Sequence, residues 1–221
     1  KEMRVIISAA VSQDGYMDDC SPRRLVLSSE EDWREVYRLR AASDAILVGA
    51  ETLRRDNPAL VIRDQKLRTG RIAAGMPGDI VKVTVTGSGN IDTASRFFTE
   101  GPDIPKIVFV REDASALKKA GLSRVSEVVP MPEITARAIV KELSGRGFEI
   151  LMVEGGAKII KMFIDEDMAD EFRLAVAPLT VADSNAPRLP YFGKFPFEDR
   201  SQKTEHEAGN MKVCEYVIHK N

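Results

Sequence analysis

A carboxylate followed by two glycines closes the apolar run at 150–157, where Glu154, Gly155 and Gly156 stand between Val153 and Ala157. A buried strand ending there would carry Glu154 to a sheet edge, and glycines without a Cβ would let backbone N–H groups approach an anion at the next helix start. The same residues also suit a plain strand-to-helix turn. Thr52 and Asp56 lie four apart, on one face of a short helix that follows a strand end. A hydroxyl and a carboxylate in that place suit the ribose or amide of a cofactor, or simply a solvated face. Arg40 continues the stripe of Trp33, Val36 and Tyr37 and so points inward. An inward guanidinium needs an anion, either a protein carboxylate or a substrate phosphate held in bidentate fashion. Arg63 follows the strand-like run Pro58-Ala59-Leu60-Val61-Ile62, and Arg111 follows the run at 106–110, where it could reach an extra phosphate or only water. Gly87-Ser88-Gly89 starts a dinucleotide fingerprint, but Asp92 fills its last glycine position, which argues against a standard Rossmann domain.

These groups must be positioned by strands and helices that alternate. Val5-Ile6-Ile7 opens a strand that the turn Ser12-Gln13-Asp14-Gly15 breaks. From Ser29 to Ala42 a serine cap, acids in the first turn and helical spacing predict an amphipathic helix. Ala45-Ile46-Leu47-Val48 reads as a buried strand, followed from Gly49 by a short helix that Asn57-Pro58 stops. Further apolar runs at 80–85, 106–110, 125–129, 149–153 and 171–177 alternate with helical patterns at 113–120, 132–144 and 157–166. The alternating segment 212–218 after Gly209-Asn210 predicts a terminal hairpin, hence a mixed sheet. Segments 63–79 and 183–199 read as irregular loops.

With 221 residues and 43% hydrophobic content, the chain is expected to form one domain, 1–221, with a core that needs no staple. Cys20 and Cys214 sit in no paired motif, and no secretory or transmembrane stretch stands out, so a cytoplasmic setting is expected. Lys+Arg 32 against Asp+Glu 34, without a basic stripe, excludes nucleic acid and membrane as expected partners. His206 and His219 fit neither a metal site nor a nucleophile–base pair, so no metal is expected.

Three stretches in order, Ser12-Gln13-Asp14-Gly15, Asp44 through Gly49 to Thr52 and Asp56-Asn57-Pro58, and Val153-Glu154-Gly155-Gly156, resemble the riboflavin-biosynthesis pyrimidine reductase family. The likeness spans roughly residues 4–180 and implies a dihydrofolate-reductase-like α/β fold: a predominantly parallel mixed sheet flanked by helices, with a C-terminal antiparallel hairpin. It implies NADPH as hydride donor and a ribosylaminopyrimidine 5′-phosphate as substrate, reduced at C1′ to the ribitylamino product. By matching position, Thr52, Asp56, Ser88, Gly155, Gly156 and Ala157 would contact NADPH, while Arg40, Leu60, Arg63 and Glu154 would face the substrate. A lysine frequent in the family's first strand is replaced by Ser8, which leaves Glu154 and Asp56 as candidate proton donors. The family's zinc deaminase domain finds no set of ligands in this sequence. The alternatives are a dihydrofolate or other pterin reductase of the same fold and a non-catalytic nucleotide-binding module. A homodimer is implied, with segment 171–177 and the aromatic loop from Tyr191 to Phe197 as its apolar surface, unless those rings fold onto their own core.

Overall fold

Short β-branched runs alternating with capped helices set the element order. In the computed structural model, which describes residues 3–220, β1 (Arg4–Val11) leads to α1 (Glu30–Ala42), β2 (Ala45–Gly49) and α2 (Ala50–Asp56). There follow α3 (Gln65–Ala73), β3 (Val81–Thr86), α4 (Arg96–Thr99), β4 (Lys106–Arg111), α5 (Ala116–Leu122) and β5 (Glu127–Met131). The chain continues through α6 (Ala136–Gly145), β6 (Ile150–Gly155), α7 (Ala157–Asp165) and β7 (Glu171–Val176) to the hairpin β8 (Ser201–Ala208) and β9 (Met211–Ile218).

One nine-stranded sheet results, in the order β5-β4-β3-β2-β6-β1-β7-β9-β8. Seven neighbouring strands, β5 to β7 in that order, run parallel. Strand β9 is antiparallel to β7 and β8 to β9, joined by Gly209 and Asn210 as expected. One face of the sheet packs Ile160 and Phe163 of α7 and Ile139 of α6 on Val5, Ile7, Leu47 and Val153. The other packs Leu53 of α2 on Ile46 and Val48. The connections after β2 and β6 therefore leave on opposite faces, and neighbouring parallel strands that part in this way open a crevice at their carboxyl ends.

Ser29 caps α1 by accepting from the Asp32 amide at 3.0 Å, and Asn57 ends α2 in the left-handed region at φ 41°. Segment 63–79 departs from expectation, because α3 lies within it. Its cap is Asp64, and the side chain turned inward is Arg71, which donates to the carbonyls of Ala41, Ser43, Pro77 and Asp79. A guanidinium does there what an apolar stripe does elsewhere, so helical periodicity was invisible. The expected dimer surface is also corrected. Strand β7 lies inside the sheet, between β1 and β9, and Phe195 and Phe197 are buried against Phe172 and Tyr216. Among the described residues no helix is long and apolar enough to cross a membrane, and no His, Cys, Asp and Glu cluster could hold a metal ion.

Candidate active site

At the carboxyl ends of β1, β6 and β7 a cavity of about 610 Å³ opens, a size suited to a small ligand. Its floor is a row of side chains from adjacent strands: Glu154 of β6, Ser8 of β1 and Arg173 of β7, with Ser8 and Arg173 in register. All three face α1, which lays Asp32, Trp33 and Val36 along the cavity. Thr52, Arg55 and Asp56 of α2 form a second wall, and the segment from Met17 to Ser28 forms a third.

The two carboxylates that the sequence singled out are in different states. Glu154 accepts from Arg40 Nε and Nη2 at 2.7 Å each, a bidentate pair in which both carboxylate oxygens are engaged. Burial works against the Arg40 charge, but Glu154 outweighs it and holds the guanidinium protonated. The Trp33 and Tyr37 rings, stacked on each other, flank Arg40 at 5.8 and 5.5 Å. Asp56 has only a 3.4 Å approach from Arg24 Nε at one oxygen, and its buried Oδ1 has no hydrogen-bond partner. Burial pushes this carboxyl above the ordinary range, Arg24 opposes that, and nearby Asp18 adds to it. Asp18 is moved the other way: burial raises it, but hydrogen bonds from Arg55 Nε at 2.8 Å and from the Leu25 and Asp19 amides win. The two carboxyls of one cavity are thus driven apart in acidity by their environments.

Of the expected site residues, Thr52, Asp56, Glu154, Gly156 and Ala157 line this cavity. Gly155 lies directly behind at φ 111°, and the Gly155–Gly156 peptide is cis. A Cβ on Gly156 would stand 3.1 Å from Thr52 Oγ1, a tight contact to which the Thr52 side chain would have to yield by a few tenths of an ångström. Arg40 does not itself line the cavity but lies behind Glu154 and Trp33, and the protein carboxylate is the anion it meets. Leu60 is 3% exposed and packs in the core with Leu53 and Ile62, so its side chain is not available to a ligand in this cavity. Arg63 is drawn outward to Glu100 at 2.7 Å, and Ser88 sits in an exposed turn accepting from the Asn90 amide. Neither lines the cavity. Periodicity missed Asp32 and Arg173, although a charge inside the apolar run 171–177 was a signal that a partner waited in the interior.

A dinucleotide fits the arrangement. Gly156 begins α7 without a side-chain cap, leaving backbone N–H groups for an anion beside Thr52. A second hollow of about 600 Å³ lies beyond α7, lined by Val85, Gly87, Arg111 and Lys158 among others. The start of α7 is therefore shared: Ala157 borders the first hollow and Lys158 the second.

The sequence model of the RibD C-terminal domain matches residues 3–214. The chain is 31% identical over 211 residues to the 2,5-diamino-6-ribosylamino-4(3H)-pyrimidinone 5′-phosphate reductase of Archaeoglobus fulgidus, with 95% of each covered. It is 30% identical to the protein of that name from Methanothermobacter thermautotrophicus, covering 84% of this chain and 82% of the relative. Among solved structures, a pyrimidine reductase-like protein from Corynebacterium diphtheriae matches with TM-score 0.81 at 20% identity, covering 99% of this chain and 93% of that one. The mostly parallel sheet with its antiparallel tail is the dihydrofolate-reductase-like arrangement expected from the sequence. This chain belongs to the RibD C-terminal domain family.

Proposed function

We propose that the chain is a nicotinamide-dependent reductase of riboflavin biosynthesis that converts a ribosylaminopyrimidine 5′-phosphate to its ribitylamino product. The observation that carries this reading is Asp56, a carboxyl with one buried oxygen unpartnered and its pKa raised by burial, in the same cavity as the Gly156–Ala157 turn. Once bound, the cofactor supplies the hydride. Thr52, Gly156 and Ala157 would hold it, and the second hollow lies next to them beyond α7. Arg111 and Lys158 line that hollow, and two cations there favour NADPH over NADH through the extra phosphate.

Reduction at C1′ of an opened sugar needs one proton besides the hydride, and Asp56 would give it. Arg24, half exposed in the same cavity, is the cation within reach of the substrate phosphate. A phosphate that draws Arg24 away would remove one of the two cations, Arg24 and Arg55, that lower the Asp56 pKa. Glu154, anchored by Arg40, orients the sugar as an acceptor. A cytoplasmic location and a homodimer belong to the same reading; sedimentation at low concentration tests the dimer. Steady-state oxidation of NADPH with the ribosylaminopyrimidine phosphate tests the activity, and absence of turnover by a folded protein that binds NADPH would refute it.

A further inference from the structure

Trp33 is the chain's one tryptophan, and its half-buried indole stands in the wall that α1 gives the cavity. Tyr37 stacks on the indole with centroids 5.6 Å apart but does not line the cavity, so it backs the ring and leaves Trp33 facing the ligand space. On the cavity side the group over the ring is the guanidinium of Arg24, 5.9 Å from the indole centroid. From that place Arg24 Nε approaches Asp56 Oδ2 at 3.4 Å, beyond the length of a good charged hydrogen bond. Both contacts are long and the Arg24 side chain is 50% exposed, so little holds the guanidinium there against a ligand.

A guanidinium is flat and conjugated, so the space between Trp33 and Asp56 that it fills is one a flat conjugated ring can take in its stead. Two such rings belong to the proposed reaction, the nicotinamide and the pyrimidine. The candidate cofactor contacts, Thr52, Gly156 and Ala157, come from α2 and α7, which leaves the α1 wall to the substrate. A nucleobase laid on an indole gains stacking energy whatever groups its edge carries. In the place of the guanidinium, the ring would have the exocyclic nitrogen that bears C1′ on the side of Asp56, while the displaced Arg24 turns to the phosphate. We propose that Trp33 is the platform on which the pyrimidine ring of the substrate stacks, and that Arg24 covers this platform in the empty protein. This rests on the reductase reading above and adds the residue that orients the ring.

Because no other tryptophan is present, the intrinsic fluorescence of the wild-type protein reports on this ring alone. Titration with the ribosylaminopyrimidine 5′-phosphate should quench most of the emission, whereas ribose 5-phosphate, which has the phosphate and no base, and NADP+ should leave most of it. Steady-state kinetics of Trp33→Leu and Trp33→Phe supply the second readout. Trp33→Leu should raise KM for the pyrimidine substrate about tenfold with kcat within about twofold and KM for NADPH unchanged, because a stack made equally in ground and transition states acts on binding. Trp33→Phe, which keeps an aromatic face, should recover most of the loss. Absence of quenching by a substrate that the protein turns over overturns the proposal, as does equal quenching by ribose 5-phosphate. Stronger quenching by NADP+ overturns it by placing the nicotinamide on the indole. An unchanged KM in Trp33→Leu, or an equal loss in Trp33→Phe, also overturns it, and should Trp33→Leu fail to fold, the wild-type titration decides. These outcomes with turnover intact defeat this inference alone, whereas a folded protein that binds NADPH and turns over no pyrimidine substrate defeats the reductase reading and this inference with it.

Discussion

Buried cations occur on both sides of β2, and the two groups are held differently. Away from the cavity, Arg71 donates to four main-chain carbonyls, Lys82 to those of Phe97 and Glu100, and Lys106 to those of Gly101, Pro102 and Ile104. At the cavity, Arg40 is held by Glu154, and Arg173 by Asp32 and Glu35. A cage of main-chain carbonyls is neutral and fixed by the fold, so its cation ties a loop to a strand and does nothing else. A carboxylate carries charge and spare lone pairs, so it can turn toward a ligand or change protonation state. The same residue types are thus caged by main chain on one side and paired with carboxylates at the cavity on the other.

The sharpest way to break this contrast is at Asp56, the cavity carboxyl with least compensation. On the proposed reading Asp56→Asn keeps the shape and removes the transferable proton, so kcat should fall by about 10³-fold. In the wild-type protein kcat/KM should decline as pH rises through the Asp56 pKa, which burial has raised, because the acid form is the active one. That limb should be missing in the variant. Second in size is Glu154→Gln, which leaves Arg40, 7% exposed, without its counter-charge. A loss of about 3 kcal/mol in unfolding free energy is expected. Denaturant melts should show the double variant Arg40→Met with Glu154→Leu recovering much of it, while reduction stays impaired.

The carbonyl-held side should answer differently. Burial pushes the Lys82 ammonium down to about 8 from 10.5, with Lys106 adding to the effect. The unfolded chain therefore binds more protons than the folded one between those values, and stability rises with pH across that window and is lost as pH falls through about 8. The rise should be about 1–2 kcal/mol, and Lys82→Met should flatten it without changing kcat.

The contrast also explains what the sequence revealed. Strands β2, β4 and β6 and the capped helix α1 were legible because β-branched runs, a serine cap and an Asn-Pro stop are local signals. Thr52, Asp56 and Glu154 were legible for the same reason, since each stands at the end of a readable element. Helix α3 was hidden because Arg71 fills its inward position while Ile72 is 61% exposed, which inverts the usual pattern. The pairs were hidden by distance: Arg40 meets Glu154 across 114 residues and Arg173 meets Asp32 across 141. Spacing showed that an inward arginine needs an anion, but only the folded sheet shows which one. Lys82 and Lys106 were not singled out in the sequence, because their partners are carbonyls, which no side-chain pattern encodes.

The smallest expected effect lies at the second hollow, where the cation is held by neither a carbonyl cage nor a buried carboxylate. Arg111 pairs with Asp113 at 2.5 Å, and both side chains are more than half exposed, so water screens the pair and little is lost when it parts. Such a cation is free to exchange its carboxylate for a phosphate. Arg111→Ala should therefore raise KM for NADPH by about tenfold and leave KM for NADH and thermal stability nearly unchanged, since a single exposed charge contact is worth about 1 kcal/mol. The NADPH effect should shrink as salt is added, because an exposed charge contact is screened over about 10 Å at 0.1 M ionic strength. Equal changes for both cofactors would mean that Arg111 shapes the hollow without reading the phosphate, and selectivity would then have to come from Lys158, whose partner Glu51 is also exposed at the surface.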